Sequence, residues 1–271
     1  MPNFVIFSDL DGTLLDHNTY SFQAASDALE LIKSKNIPLV ICTSKTRKEI
    51  EIYRKLLDNK HPFISENGGG IFVPDNYFSK EFKYDKETDE YKVIELGTRR
   101  ETFSATLKSI SKETGIQIRG FSDMTAKEIA ELTGLDEGSA KLAMERDYSE
   151  PSLISEDGKY TATIEKEINL KGYTHTRGGR FHHILGGNDK GKAVRILTDL
   201  YKQEFGSIKT VGIGDSLNDL PMLEAVDIPI IVQKPNGRYD PEIKLSNLTY
   251  AEGAGPSGWN SSILKLFINF D

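Results

Sequence analysis

The chain has 271 residues but a single cysteine, Cys42. One cysteine excludes an intrachain disulfide and fits a reducing compartment. Because Cys42 ends an apolar run that starts at Ile37, we interpret it as a small core residue rather than a nucleophile. The sequence also lacks a signal-like N-terminal segment and any apolar run near the ~20 residues of a membrane helix. We therefore expect a cytoplasmic protein that does not contact a membrane.

Basic tracts are absent as well. The formal net charge is −7 and the isoelectric point is about 5.4. Nucleic acid is therefore not expected as a partner, although a local cationic pocket is compatible with this charge. The length corresponds to one large domain or two modest ones, and we expect a monomer or a small homo-oligomer.

The most informative segment is the apolar run at residues 3–15, which contains two aspartates, Asp9 and Asp11. Gly12 and Thr13 are typical of a turn, so both carboxylates are predicted at the C-terminal end of a strand. In open α/β sheets, ligands bind at that end. Two like charges this close repel each other, and a divalent cation between them would relieve the repulsion. The segment therefore favours a metal-dependent site over a solvated pair in a loop.

Strands and helices alternate over the first third of the chain. Helical spacing at residues 21–34 precedes an apolar strand at 37–42, with Asn36 as a left-handed helix end. The next helix is predicted to open within residues 43–46, and the same alternation returns near residue 187. This pattern predicts an α/β fold with a parallel sheet and right-handed crossovers.

The middle of the chain has a different texture. Residues 83–90 are charged and lack hydrophobic periodicity, which is typical of a domain boundary. Beyond them, Thr125 and Glu128 form a capping-box pattern for a helix that Gly134 ends. Residues 160–185 alternate weakly and are broken by Gly172 and by the glycines at 178–179, so the stretch up to about residue 186 is predicted to contain its own helices and short strands. We therefore divide the chain into a core part at 1–84, an inserted α+β module at 85–186 and a second core part at 187–271.

Two polar residues beside predicted core elements are candidates for binding a phosphoryl group. Thr43 follows the second strand, where its hydroxyl and nearby helix amides could bind an anion, although a helix N-cap explains the residue equally well. Lys190 lies in the first turn of a helix, where a cation opposes the positive end of the helix dipole. Local helix stability does not explain a lysine at this position, so we predict that Lys190 neutralises a carboxylate that attacks the phosphoryl group. Lys192 is predicted to face solvent.

A glycine-led segment that contains Asp215 and Asp219 follows another strongly apolar strand. Mg²⁺ prefers oxygen ligands in near-octahedral geometry and keeps several waters. We predict that Asp9, the backbone carbonyl of Asp11 and Asp215 complete such a shell together with substrate and water. Asp219 is predicted to orient Lys190 or the metal, with a cap of the following helix as the alternative.

Four motifs of the chain resemble those of the haloacid dehalogenase superfamily, in the same order: Asp9-Leu10-Asp11-Gly12-Thr13, Thr43, Lys190, and Gly214-Asp215 with Asn218-Asp219. The resemblance implies a Rossmann-like core, and the insertion between the second and third motifs resembles the large C2-type cap. It also implies Mg²⁺ as cofactor, Asp9 as nucleophile, Asp11 as acid/base, and catalytic roles for Thr43, Lys190 and Asp219.

One departure from the superfamily pattern narrows the set of families that the chain resembles. Many relatives with this cap carry Thr-Gly-Arg at the second motif, whereas this chain has Thr43-Ser44-Lys45. That string and those at 65–69, 121–125, 146–151 and 179–183 are similar to the mannosyl-3-phosphoglycerate phosphatase family. Substrate-binding roles are then expected for residues of the second motif, the following loop, the cap and the fourth motif: Ser44, Lys45, Asn67, Arg177, Arg180 and Asn218.

The cap string with Arg177 and Arg180 also stands out by itself. Two cations near flexible glycines in an otherwise acidic protein could pair with a carboxylate, although a solvated hairpin turn is the alternative. His182 and His183 alternate across a predicted strand, so at most one of them faces the site. Without further ligands nearby in sequence, a zinc site is not expected there.

The resemblance implies a Mg²⁺-dependent phosphatase for a phosphorylated sugar acid, acting through an aspartyl phosphate. Mannosyl-3-phosphoglycerate is the expected substrate, and glucosyl-3-phosphoglycerate is a second candidate. The alternatives are a general sugar phosphatase for hexose or sucrose phosphates, a phosphomutase, and a catalytically silent phosphosugar-binding regulator. The presence of Asp9, Asp11, Lys190 and Asp215 argues against the silent regulator.

Overall fold

The computed structural model describes residues 4–156, 158–178 and 181–268. Its strands are β1 (Phe4–Ser8), β2 (Leu39–Cys42), β3 (Phe63–Ser65), β4 (Gly70–Pro74), β5 (Lys86–Glu87), β6 (Tyr91–Glu95), β7 (Ile118–Gly120), β8 (Glu150–Ile154), β9 (Thr174–Gly178), β10 (Phe181–Leu185), β11 (Lys209–Gly214), β12 (Ile228–Gln233) and β13 (Thr249–Ala254). Its α-helices are α1 (Ser26–Ser34), α2 (Arg47–Leu56), α3 (Arg100–Thr114), α4 (Ala126–Thr133), α5 (Glu137–Met144), α6 (Thr161–Leu170), α7 (Lys190–Phe205), α8 (Leu220–Glu224) and α9 (Gly255–Ile268).

The larger sheet has the strand order β13-β12-β11-β1-β2-β3-β4-β6-β5. The strands from β13 to β3 are parallel, and the remaining three extend the sheet in antiparallel fashion. The predicted α/β fold with a Rossmann-like parallel sheet is thus confirmed. Because β11, β1 and β2 are neighbours, the loops that follow these three strands meet at one edge of the sheet.

Side chains of β1 pack on both faces of this sheet. Ile6 belongs to an apolar cluster with Trp259 on one face, whereas Val5 and Phe7 belong to a second cluster on the other. Strands buried on both faces read as continuous apolar runs, which is why β1 could be recognised from sequence. Cys42 lies fully buried in the second cluster, where burial raises the pKa of its thiol. Its interpretation as a core residue is confirmed.

The smaller sheet, with the order β7-β8-β10-β9, is antiparallel and lies within the inserted segment. Together with α3 to α6 it forms an α+β cap. The boundary predicted at residue 84 precedes β5 and β6, which pair with the larger sheet. Because β6 pairs with β4 along its whole length, we propose a start of the insertion beyond Glu95. The rest of the proposed division stays a prediction.

The helix predicted to open within residues 43–46 begins later than expected. Thr46 is the N-cap of α2 in a capping box with Glu49, so the helix starts at Arg47 and residues 43–45 form a loop after β2. The prediction that amides beside Thr43 start a helix is therefore wrong, since a capping box placed three residues later determines the start. The capping box at Thr125 and the helix end at Gly134 are confirmed.

None of the helices in residues 4–156, 158–178 and 181–268 is both long enough and apolar enough to cross a membrane. The expected cytoplasmic location and oligomeric state stay predictions.

Trp259, the single tryptophan of the chain, ties α9 to the central strand of the sheet. Its side chain is fully buried, and its Nε1–H donates a hydrogen bond to Oγ of Ser8 at 3.0 Å. Removing the ring leaves a cavity beside β1 and removes the hydrogen bond that the Ser8 hydroxyl accepts, although this hydroxyl still donates to the backbone carbonyl of Asp9 at 2.7 Å.

We expect Trp259→Ala to lower the free energy of unfolding by about 3–5 kcal/mol, because a large buried aromatic side chain is lost. Urea unfolding should be followed by far-UV circular dichroism, since the substitution removes the tryptophan fluorescence. Trp259→Phe, which keeps most of the apolar volume, serves as the matched variant and should lose less. A loss below about 1 kcal/mol for Trp259→Ala would contradict the packing described here.

Candidate active site

Three neighbouring strand ends form the floor of the candidate site. Asp9 directly follows β1, Thr43 follows β2 and Asp215 follows β11. Gly12 turns the chain back after β1 with a φ of 75°, and a Cβ at that position would lie 3.0 Å from the carboxylate of Asp215. Glycine is therefore required where the loop after β1 passes the loop after β11.

Lys190 connects two of the carboxylates on this floor. Its Nζ lies 2.7 Å from Oδ1 of Asp9 and 2.5 Å from Oδ1 of Asp219, and its side chain is fully buried. Burial lowers the pKa of Lys190, but the two carboxylates outweigh burial and raise the pKa above its ordinary value. The ammonium is therefore charged at neutral pH. Lys192 is exposed, as predicted.

Local structure at the start of α7 places Lys190 on the floor. The side chain of Asp189 caps the helix by accepting a hydrogen bond from the backbone N–H of Lys192 at 2.7 Å. Gly191 packs directly against the backbone carbonyl of Pro221, an approach that any Cβ would prevent. The helix start is therefore pressed onto the segment that carries the fourth motif.

Asp9, Asp215 and Asp219 form a buried acidic cluster whose oxygen atoms lie within 4.8 Å of one another. Burial raises the pKa of Asp9 to about 8, even though Lys190 lowers it. Burial and the neighbouring carboxylate of Asp219 raise the pKa of Asp215 to about 6. Three carboxylates around one ammonium carry excess negative charge, so the cluster favours a further cation.

Asp219 uses both of its carboxylate oxygens within the protein. Oδ1 binds Lys190, and Oδ2 accepts hydrogen bonds from the backbone N–H groups of Asp215 and Ser216 at 3.0 and 3.2 Å. This side chain holds the lysine and the loop after β11 in one arrangement.

A divalent cation fits the remaining donors. Asp9 and Asp215 offer buried carboxylate oxygens, the hard ligands that Mg²⁺ prefers. Because Asp219 is already engaged by Lys190 and two amides, it is better suited to orienting than to binding the ion. The predicted contribution of the Asp11 carbonyl stays a prediction.

The carboxylate of Asp11 pairs with a second lysine, Lys45. Its Oδ2 lies 3.0 Å from Nζ of Lys45, and 38% of the side chain is exposed. Burial lowers the pKa of Lys45, but Asp11 and Glu49 outweigh burial and raise it. Asp9 and Asp11 therefore have different environments, one paired with Lys190 and the other with Lys45.

The other predicted site residues surround this floor. Thr43 is fully buried, and its hydroxyl accepts a hydrogen bond from the backbone N–H of Lys45 at 3.4 Å. The side-chain amide of Asn218 donates to Oδ1 of Asn67 at 3.3 Å. Ser44 and Asn218 line the cleft above the floor, whereas the substrate contacts predicted for them stay predictions.

A cleft of about 600 Å³ separates the floor from the cap. The core contributes carboxylates, Ser44 and Lys45 to its walls, together with His17, Asn18 and Tyr20 from the segment that follows β1. Among the described residues, the cap contributes Arg146 and an apolar surface that includes Phe121, Leu135, Ala143, Pro151 and Phe181. The cleft thus offers charged groups for a phosphoryl group and an apolar cover for the rest of a substrate.

Arg146 is a cleft residue that our sequence reasoning did not assign to the site. Its Nη1 donates to the carbonyl of Ser44 at 3.1 Å and to Oγ of Ser149 at 2.9 Å. The string at 146–151 marked the family resemblance, but the position of the arginine depends on how the cap meets the loop after β2.

Glu66 fastens the cap to the core beside this arginine. Its carboxylate accepts hydrogen bonds from the backbone N–H groups of Asp147 and Tyr148 and from Oγ of Ser149, at 2.9, 3.1 and 2.6 Å. Burial raises the pKa of Glu66, although Arg146 and these donors lower it. A buried carboxylate with three donors is a strong constraint on the linking segment.

The two histidines of β10 have different surroundings, as the alternation predicted. His183 lines the cleft, and its burial lowers the pKa of the imidazole to about 3. His182 stacks on His175, with 2.8 Å between their ring nitrogens. The backbone of Arg177 lies in β9 opposite His182. Arg180 lies outside the described residues, and the roles of both arginines stay predictions.

Comparison with known proteins agrees with this geometry. A family model described as haloacid dehalogenase-like hydrolase matches residues 6–238. A glucosyl-3-phosphoglycerate/mannosyl-3-phosphoglycerate phosphatase from Methanococcoides burtonii is 54% identical over 262 residues, which cover 97% of this chain and 96% of that protein. A phosphatase of the same name from Persephonella marina is 44% identical over 264 residues, with 97% and 96% covered.

Solved structures show the same fold. A phosphatase of the haloalkanoate dehalogenase superfamily from Bacteroides thetaiotaomicron superposes with a TM-score of 0.67 at 18% identity, covering 99% of this chain and 95% of that one. The family model spans most of the chain, and both curated relatives cover nearly all of it. This chain belongs to the haloacid dehalogenase-like hydrolase family.

Proposed function

We propose that this protein is a Mg²⁺-dependent phosphatase that converts mannosyl-3-phosphoglycerate, and glucosyl-3-phosphoglycerate as a second substrate, into the sugar glycerate and phosphate. The observation that carries the chemistry is the buried ammonium of Lys190 between Asp9 and Asp219 at the strand ends. The substrate class rests on the names of relatives that are 54% and 44% identical to this chain.

Asp9 is the proposed nucleophile. One oxygen of its carboxylate forms a bond to phosphorus, while the bond from phosphorus to the glycerate oxygen breaks. Asp11 gives its proton to that leaving oxygen, because a glycerate alkoxide leaves poorly unless it is protonated. The product of this step is a free sugar glycerate and a phosphorylated Asp9.

Water completes the reaction. Asp11, now a carboxylate, takes a proton from a water molecule whose oxygen attacks phosphorus, and the bond to Asp9 breaks. Lys190 stabilises the negative charge of the phosphoryl oxygens in both steps, and the hydroxyl of Thr43 is proposed to bind one of them. Burial beneath the cap strengthens these interactions because water is excluded.

Mg²⁺ bound by Asp9 and Asp215 would offset the negative charge of nucleophile and phosphate. The chain's own contribution is to hold these carboxylates together, with Lys190 and Asp219 fixing their arrangement. The cap then selects the leaving group, for which the apolar surface around Phe121 and Phe181 and the cation of Arg146 are the proposed contacts.

The substrate proposal is tested by phosphate release from a panel of phosphorylated glycerates and sugars. We expect mannosyl- and glucosyl-3-phosphoglycerate to exceed hexose and sucrose phosphates in kcat/KM, and activity to vanish after chelation and return with Mg²⁺. Ca²⁺ should substitute poorly, because its larger and looser shell misplaces the reacting groups. Full activity after exhaustive chelation would exclude the metal-dependent mechanism, and a phosphorylated sugar product without free phosphate would indicate a mutase.

Replacing the nucleophile tests the covalent step. We expect Asp9→Asn to lower kcat by at least about 10³-fold, because an amide cannot form the acyl phosphate. Asp199→Asn, an exposed position on α7, is the matched control and should keep wild-type turnover. A folded Asp9→Asn protein that retained a tenth of the activity would rule out this role.

The two lysines at the start of α7 separate charge stabilisation from helix effects. We expect Lys190→Ala to lower kcat by about 10²–10³-fold, since a preorganised cation facing the phosphoryl group is lost. Lys192→Ala, two residues away and exposed, should change kcat by less than about twofold. Lys190→Ala leaves two buried carboxylates without their cation, so circular dichroism must show that the variant folds. Lys190→Arg, which keeps the charge, is the second control. Equal effects of Lys190→Ala and Lys192→Ala would contradict the assignment.

A further inference from the structure

The carboxylate of Asp11 depends on one side chain for its orientation. Oδ2 lies 3.0 Å from Nζ of Lys45. Oδ1 is buried and has no hydrogen-bond partner among the described residues. Buried carboxylate oxygens normally have donors, so this carboxylate has little besides Lys45 to hold it in place.

Lys45 is itself held firmly. Its side chain is only 9% exposed, and its Nζ lies 3.5 Å from Oε1 of Glu49. The ammonium also lies over two aromatic rings, 5.2 Å from the centroid of Tyr20 and 5.7 Å from that of Tyr53. Attraction to ring faces and a second carboxylate restrict a lysine that would otherwise move freely.

The carboxylate of Glu49 is also held in place. Oε2 of Glu49 accepts a hydrogen bond from the backbone N–H of Thr46 at 2.9 Å as part of the capping box of α2. A chain of contacts therefore runs from the start of α2 through Glu49 and Lys45 to Asp11. Rigid elements are the best supports for a group that must be placed accurately.

From these contacts we propose that Lys45 is a positioning residue for Asp11, rather than a substrate-binding residue. It fixes the direction of the carboxylate and stabilises the negative charge that Asp11 acquires when its proton passes to the leaving oxygen. This inference rests on the proposed function, in which Asp11 is the acid. Lys190 serves the nucleophile and Lys45 serves the acid, so each aspartate has its own cation.

Leaving groups of different quality test this role. An alkyl phosphate needs the acid, whereas p-nitrophenolate leaves without a proton. We expect Lys45→Met to lower kcat/KM for mannosyl-3-phosphoglycerate by about 10- to 100-fold, and that for p-nitrophenyl phosphate by less than about threefold. The comparison uses kcat/KM because kcat includes hydrolysis of the same phosphorylated Asp9 for every substrate.

Three further variants complete the experiment. Lys48→Met, a half-exposed lysine of α2 paired with Glu51, is the matched control and should leave both constants unchanged. Lys45→Arg should recover most of the alkyl-phosphate activity. In an Asp11→Asn background, Lys45→Met should have no further effect on the alkyl phosphate, since both changes disable one acid.

The outcomes are distinguishable. Equal losses on both phosphates, or additive losses with Asp11→Asn, would overturn the positioning role. A loss confined to substrates with a carboxylate, and absent for a carboxylate-free alkyl phosphate of the panel, would instead make Lys45 a substrate contact and also overturn it. Failure of the proposed function looks different: wild type releases no phosphate, or Asp11→Asn alone does not distinguish alkyl from aryl phosphates.

Discussion

The ammonium of Lys190 is the charge on which the candidate site depends. It is fully buried between Asp9 and Asp219, in a cluster that also contains Asp215. Burying several carboxylates together is costly unless cations accompany them. The lysine meets part of this requirement and leaves negative charge for a metal ion to neutralise. Lys190 thus lowers the cost of burying the carboxylates but does not neutralise all of their charge.

The loop after β11 is fixed to this lysine. Asp219 binds the lysine with one oxygen and the amides after β11 with the other, so the fourth motif cannot shift without moving the cation. Asp11, in contrast, lies toward the cleft beside Lys45. In the proposed mechanism Asp9 is the nucleophile and Asp11 is the acid, so each of the two tasks of phosphate-ester cleavage has a separately supported carboxylate. Both arrangements arise within a few residues of strand ends.

Local patterns explain how much could be predicted from the sequence. Continuous apolar runs identified β1 and β2, and a lysine against the helix dipole identified Lys190, because each signal lies within a few residues. The start of α2 was predicted too early, since Thr43 and Thr46 are both plausible caps and the capping box with Glu49 selects the second. Pairing of β6 with the larger sheet is a long-range contact that local texture does not reveal.

Two residues at the boundary between cap and core show the same limit. Arg146 and Glu66 contribute to the boundary between cap and core through contacts with residues about 80 to 100 positions away. Neither has a local signature for this role, because it depends on contacts between segments that are far apart in the sequence. Local sequence patterns therefore do not predict which residues form the cleft between cap and core.

The place of β1 in the sheet has a consequence for how the chain is made. β1 pairs with β11, and Ser8 accepts its hydrogen bond from Trp259, 251 positions later. During synthesis from the N-terminus, β1 can meet β2 early, but it must wait for β11 and Trp259 until the chain has been released as far as residue 259. The inserted module is completed earlier, since its sheet uses only residues between 118 and 185. The cap, for which we propose substrate selection, is thus available to fold before the strand ends that carry the acidic cluster are complete.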